Sequence, residues 1–283
     1  MAFRTITFAL VTVCLVAGAT ESGADELKGG SAPLGNGSVE SYAVTSADGA
    51  PLEIGVIFSS GSLDGLPEKR NTTSRCFDRD GNGSINPTGE CEGDYQINLE
   101  LPDGLAGRDD IPFAFTMVNW NPEGHDPAAW APPHFDIHFY QIPISAVDAI
   151  RVGACDIFID CGDRENALVP VPGKYVNAEH VSVGAAVGRM GNHLIDTTTP
   201  ELGTPPRPFT YTWIFGAYGG SIIFHEVMVT KAFLALGGDT YAPIKQPEAW
   251  EHAGYYPTNY CFRQGPDGSL KVLMTDFVMR VAG

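Results

Sequence analysis

A chain of 283 residues with 43% hydrophobic and 18% charged side chains can bury a full-sized core, which excludes an intrinsically disordered protein. Its formal net charge of −17, with no clustered Lys or Arg, excludes the basic footprint of a nucleic-acid binder and suits a protein that meets divalent cations outside the cell. Glycine (33) and proline (21) are plentiful and long helical periodicities are absent. The expected architecture is therefore mostly β, with antiparallel sheets in a sandwich or barrel-like arrangement and a few short helices, α+β being the alternative.

Residues 1–19 carry a basic position at Arg4, an apolar run over 8–16 and a small-residue exit, Ala17-Gly18-Ala19. This is the pattern of a secretory signal peptide. Cys14 lies inside the run and follows Val13, not the small residue of a lipoprotein site, so it is expected to leave with the signal. No later run reaches the ~20 apolar residues of a membrane span. The expected product is secreted, periplasmic or extracellular. Residues 20–38, rich in Gly, Ser, Ala and acidic residues, read as a disordered segment, and residues 39–283 read as a single β-rich domain.

Residues 39–44 and 52–58 read as strands joined by a turn. Residues 60–94 have the character of an insertion, and within it Asp78-Arg79-Asp80-Gly81-Asn82-Gly83-Ser84-Ile85-Asn86 reproduces the first nine positions of a calcium loop. Oxygen side chains stand at positions one, three, five and nine, glycine at six and an apolar residue at eight. The expected calcium ligands are Asp78, Asp80, Asn82, Ser84 through its carbonyl, Asn86 and, one residue late for an EF-hand, Glu90. Pro87 argues against the second helix of an EF-hand. Asn71-Thr72-Thr73 and Asn82-Gly83-Ser84 match glycosylation sequons.

Residues 95–101 alternate as a half-buried strand, and residues 113–120 are more continuously apolar and expected to be more deeply buried. A proline-rich loop, 121–133, carries His125. It leads into His134-Phe135-Asp136-Ile137-His138-Phe139-Tyr140, where titratable and large apolar residues alternate strictly, as on a strand with one polar and one apolar face. At roughly 3.3 Å rise per residue, His134 and His138 stand about 13 Å apart on such a strand. One ion could then take one histidine and Asp136, its other ligands coming from distant strands, and the two histidines have different jobs.

Residues 143–150 read as a short helix opened by a proline. His180, beside Glu179, is expected at the surface, and His193 is expected to be oriented by Asp196. Residues 209–215 and 221–229 form a predicted hairpin on which Glu226 lines up with Ile222, Phe224 and Met228, and a buried carboxylate there needs a cation or donors. Lys231–Leu236 reads as a helix capped by Thr230, and 256–280 as a hairpin. With Cys14 removed, the local disulfides Cys76–Cys91 and Cys155–Cys161 are expected in an oxidising compartment, leaving Cys261 as a buried, unpaired thiol.

Several separated motifs share one likeness: Gly124-His125-x-Pro127, Pro133-His134-Phe135-Asp136-x-His138-Phe139-Tyr140, Met190-Gly191-x-His193-x-x-Asp196, Phe215-Gly216-x-Tyr218-x-Gly220, Glu226-x-Met228-x-Thr230 and Tyr255-Tyr256-Pro257-Thr258-x-Tyr260. Over roughly residues 40–282 this set resembles a family of bacterial exported proteins of unknown function, whose structural representative is a Thermus protein under sigma-factor control. The departures are Val227, where the family string has proline, and the insertion at 60–94. The resemblance brings no activity with it.

Two functions compete. In one, His125, His134, Asp136, His138, His193 and Glu226 line a pocket under the 121–133 loop that binds a divalent transition metal, zinc, iron, manganese or copper; His134, His138, His193 and Glu226 are expected to share that pocket. In the other, the same residues form a buried hydrogen-bonded network in a non-catalytic structural or oligomeric module. A homo-oligomer and a small-molecule ligand are compatible with either. No Gly-x-Ser-x-Gly elbow, phosphate loop or dinucleotide fingerprint is present, which disfavours serine hydrolysis and nucleotide chemistry.

Overall fold

A computed structural model of the protein describes residues 24–283; the expected signal peptide, Cys14 included, lies outside the described residues. In chain order the first strands are β1 (Asp25–Leu34), β2 (Gly37–Thr45), β3 (Pro51–Phe58), β4 (Tyr95–Glu100), β5 (Phe115–Asn121), β6 (His134–Tyr140) and β7 (Val152–Cys155). They continue with β8 (His180–Val187), β9 (Gly191–Asp196), β10 (Tyr211–Tyr218), β11 (Ser221–Thr230), β12 (Thr240–Pro243), β13 (Gly254–Gln264) and β14 (Leu270–Arg280). Four short helices interrupt them: α1 (Pro87–Glu90), α2 (Ile144–Asp148), α3 (Cys161–Ala167) and α4 (Lys231–Leu236).

The strands build two antiparallel sheets, one of six strands in the order β1-β2-β3-β14-β13-β12 and one of seven in the order β4-β5-β6-β11-β10-β9-β8. Their facing sides share one apolar core. It includes Ile54, Val56, Phe58 and Val272 from the first sheet and Phe135, Ile137, Phe139 and Val227 from the second, each with no exposed surface. Fully burying side chains of this kind contributes about 1.5–3 kcal/mol each, and it fixes the register of β6, because a one-residue slip would turn its imidazoles and carboxylate into the core.

Residues 25–34 depart from the disorder expected of 20–38. They pair with β2 along nearly their whole length, with a register shift between Lys28 and Ser31. Their low hydrophobicity conceals a backbone role. A Cβ on Gly29 would stand 2.5 Å from the Glu100 carbonyl oxygen and one on Gly30 would stand 2.7 Å from the Glu100 nitrogen, so the two glycines let β1 close against β4 at the edge of the other sheet.

The disulfides Cys76–Cys91 and Cys155–Cys161 are both formed. Cys261 corrects the expectation of a free thiol. It is fully buried and disulfide-bonded, and no free cysteine is present among the described residues. The hairpin β8–β9, absent from the sequence reading, is broken by a register shift between Ser182 and Ala186 and turned by Arg189 at φ 61°. Its Gly and Ala positions erase the polar–apolar alternation by which a strand is recognised. No helix among the described residues is long and apolar enough to cross a membrane.

Candidate metal centre

With Phe135, Ile137 and Phe139 committed to the core, the opposite face of β6 presents His134, Asp136, His138 and Tyr140. The strand is central in its sheet, so these residues acquire neighbours on both sides: Asn121, Asn119 and Met117 stand opposite His134, Asp136 and His138 on β5, while Thr230, Met228 and Glu226 stand opposite them on β11. One strand further, β10 sets Gly216 opposite His193 of β9.

Two groups of three ligand-type side chains result, His125 with His134 and Asp136, and His138 with His193 and Glu226; within each, the ligand atoms lie within 4.8 Å of one another. In the first, His125 Nε2 is 3.3 Å from Asp136 Oδ2 and His134 Nε2 is 3.2 Å from Asp136 Oδ1. In the second, His138 Nε2 and His193 Nε2 stand 3.3 and 3.8 Å from Glu226 Oε2. Ligands ~2.1 Å from a tetrahedral ion stand about 3.4 Å from one another. The imidazole–carboxylate contacts of 3.2–3.8 Å are close to that spacing, and both trios have the two-histidine, one-carboxylate composition that leaves positions open on zinc or non-haem iron.

Three of the four imidazoles are oriented by main-chain carbonyls. His125 Nδ1 is 2.8 Å from the Asp126 oxygen, His134 Nδ1 is 2.7 Å from the Pro132 oxygen, and His193 Nδ1 is 3.1 Å from the Ala185 oxygen. A carbonyl can only accept, so each Nδ1 carries a proton and Nε2 is the ring nitrogen turned toward a carboxylate, the arrangement that prepares histidine as a ligand. Between a lone pair and a carboxylate there must be a further proton or a cation. Alignment disfavours the proton: His134 Nε2, Asp136 Oδ1, His138 Nε2 and Glu226 Oε2 are all buried without a hydrogen-bond partner, although each has an opposite number within 3.3 Å. Their atoms converge on common points and not along donor–acceptor lines.

Burial sets the electrostatics. It pushes the His138 imidazole down to about 3 and that of His193 down to about 4, so both are neutral at neutral pH. It lifts Glu226 well above the usual carboxylate range, with the charge of Asp136 adding to the effect. On Asp136 burial acts upward too, but His134 and His125 outweigh it and hold the carboxyl well below its ordinary value. For His125 burial acts downward, and the hydrogen bond and charge of Asp136 override it to raise the imidazole.

The surroundings hold these groups in place. Asn121 Nδ2 donates to Asp136 Oδ2 at 2.7 Å and Asn119 Nδ2 donates to Asp94 Oδ2 at 2.6 Å. Asp94 and Glu92 in turn flank the buried Arg75 guanidinium. The sequence reading missed the two asparagines, although the polar alternation of Asn119 and Asn121 around Trp120 was a signal for them. The Phe224 ring packs edge-on against both His138 and His193, with centroids at 4.9 and 5.3 Å. It lies over Gly216, where a Cβ would fall 1.9 Å from a ring carbon, which is the physical reason for glycine in the Phe215-Gly216 pair.

The expected ligands thus divide differently from the single shared pocket of the sequence reading: His138, His193 and Glu226 come together, and His134 joins His125 and Asp136. Asp196 does not orient His193. It accepts from Lys245 Nζ and caps Thr198, leaving His193 to the Ala185 carbonyl. His180 is buried at 5% exposure where a surface position was expected, because its Nε2 meets the Trp213 carbonyl oxygen at 3.3 Å and its ring packs on Phe215.

The Asp/Asn-rich loop forms a third group, Asp78, Asp80 and Glu90. Asp78 accepts from the Asn82 and Gly83 amides and Glu90 from those of Arg79 and Asn86; these bonds hold both carboxyls below their ordinary values. Asn82 Oδ1 takes the Ser84 amide. Asn86 Oδ1 accepts from the Thr88 amide as the cap of α1, and this single turn carries Glu90 back over the loop.

A cavity of about 680 Å³ opens above the sheet, lined by His138, His193 and Glu226 together with His125 and Asp136, while His134 lies behind them with no exposed surface. Fold and site together define an antiparallel two-sheet protein with His/Asp/Glu groups able to hold metal ions. No family model, curated protein or solved structure matches the chain.

Proposed function

We propose that the protein is a secreted metalloprotein in which each trio holds one divalent transition ion, zinc, iron, manganese or copper, and the 78–90 loop holds calcium. The observation that carries this reading is the pair of buried imidazole and carboxylate atoms in each trio that face each other at ligand spacing without hydrogen-bonding each other, since a buried unpaired polar atom costs about 1–3 kcal/mol and an ion at the common point satisfies both at once. The trios differ in role. An ion bound by His125, His134 and Asp136 fastens the 121–133 loop to β6, whereas all three ligands of the other ion face the cavity and leave its open positions to a ligand or substrate. The two disulfides and the expected signal peptide support export, and the likeness to the exported bacterial family rests on the shared motifs.

The alternative, a non-catalytic structural or oligomeric module, draws on the raised Glu226, whose protonated oxygen could donate to an imidazole; the misalignment of Oε2 with His138 Nε2 weighs against it. Metal analysis of tag-free protein, reconstituted with each candidate metal and desalted, is expected to find two transition ions per chain, and His193→Ala is expected to lose one while folding normally. Wild-type protein that retains no transition metal would overturn the proposal, and the network reading then requires His193→Ala to cost about 1–3 kcal/mol of stability instead.

A further inference from the structure

The cavity above the second trio has two chemically distinct parts. Its floor is polar and consists of the candidate ligands. Its walls are apolar, built by Val187, Met190, Ile195, Leu202, Ile214 and Met228, side chains that belong to or pack against two small apolar clusters on either side of the trio. A volume of about 680 Å³ falls within the ~300–1,000 Å³ of pockets for small organic molecules, far beyond the needs of a few coordinated waters. A purely structural metal site is closed by its ligands, whereas this one faces a chamber whose walls bind no ion.

Charge decides which end of an organic ligand meets the floor. Each trio contains one carboxylate, so a divalent ion leaves it net positive. Of the other carboxylates that line the cavity, Glu92 and Asp94 are engaged by Arg75, and Glu123 and Asp126 are exposed to solvent. Arg70, also in the lining, donates to the Cys91 carbonyl at 2.6 Å, keeps its Nε buried without a partner and forms no ion pair with a carboxylate among the described residues. The loaded floor therefore attracts an anionic oxygen, and the walls attract hydrocarbon.

We propose that the cavity binds a small, largely apolar organic molecule through an anionic oxygen donor, such as a phenolate, enolate or carboxylate, that completes the coordination of the ion held by His138, His193 and Glu226. The proposal rests on the metal reading and specifies what that ion is open to. The oxygen replaces water at the open position, and the apolar body lies along Met228, Ile214 and Met190 with the gain of roughly 25 cal/mol per Å² of apolar surface removed from water.

Nitrocatechol, an aromatic ring with an ionisable oxygen pair and a metal-sensitive absorbance, serves as the probe. Titrated into cobalt(II)-loaded protein it is expected to give a saturable spectral shift that survives desalting with the protein, and no shift with the apo protein. Leu202→Glu and Val183→Glu each place a carboxylate in the cavity wall at a partly or largely exposed position, where the fold tolerates it; both are expected to weaken the probe at least tenfold with cobalt content unchanged. Loaded protein that gives no shift, an equal shift in both variants, or loss of the cobalt to the probe on desalting overturns the ligand proposal and leaves the metal reading standing. Protein that takes up no cobalt, zinc, iron, manganese or copper overturns both.

Discussion

At the scale of single residues, the site depends on which nitrogen of each imidazole carries the proton. The carbonyls of Asp126, Pro132 and Ala185 place one proton on Nδ1 of His125, His134 and His193 and turn each Nε2 toward a carboxylate. The position of the His138 ring is settled sterically, by Phe224, and Phe224 by the missing side chain of Gly216. Gly216→Ala must drive that ring from its place against His138 and His193. The expected result is a loss of about 1–3 kcal/mol of stability, as for other overpacked cores, together with loss of the ion at the second trio and retention of the one at the first. Chemical denaturation paired with metal analysis checks this, and a variant that keeps both ions would show that Phe224 does not position the ligands.

At the scale of elements, the 60–94 insertion links the candidate calcium loop to the cavity. Glu90 closes the loop, Cys91 is tied to Cys76, and the next residues, Glu92 to Asp94, form part of the cavity wall. A calcium ion bound there would neutralise the carboxylates grouped at Asp78, Asp80 and Glu90. Calcium is expected to raise the thermal midpoint of the wild type, and Asp78→Ala with Asp80→Ala is expected to remove that rise; equal midpoints in calcium and in chelator for the wild type would exclude the loop as a calcium site.

For the whole molecule, burial of neutral histidines couples stability to pH. His225 lies between the sheets against Phe113, Trp213 and Phe215, where burial pushes it down to about 3; burial likewise lowers His180. In the unfolded chain both titrate near pH 6.5, so below that pH the unfolded state binds more protons and stability falls with falling pH. Their contribution is complete above pH 6.5 and for His225 is lost progressively toward about pH 3, at about 1.4 kcal/mol per pH unit. His225→Gln, which can still meet the Gln141 side chain, is expected to flatten the acid limb of a plot of unfolding free energy against pH measured in chelator. An unchanged slope would place the acid sensitivity elsewhere.

Much of the second sheet was legible locally. Strict alternation at 134–140 determined β6 and which of its side chains share a face, because a strand has a period of two whatever surrounds it. The in-line position of Glu226 among Ile222, Phe224 and Met228 marked a buried carboxylate, Thr230 marked the start of α4, and cysteine spacing indicated two local disulfides. The partition of the ligands was not legible. Which histidine joins which carboxylate depends on strand order and register across β6, β11, β10 and β9, and on a loop that returns His125 over its own strand, distances set by backbone pairing between residues far apart in sequence. For the same reason β1 looked like a tether and β8–β9 like a featureless run: their hydrogen bonds and glycine contacts are made with other strands, and a local pattern of hydrophobicity carries no record of them. Composition and periodicity determined a β protein with imidazoles and carboxylates turned away from its core, and the tertiary structure alone decided that they meet three by three, because convergence on a point is a property of packed strands and not of any one of them.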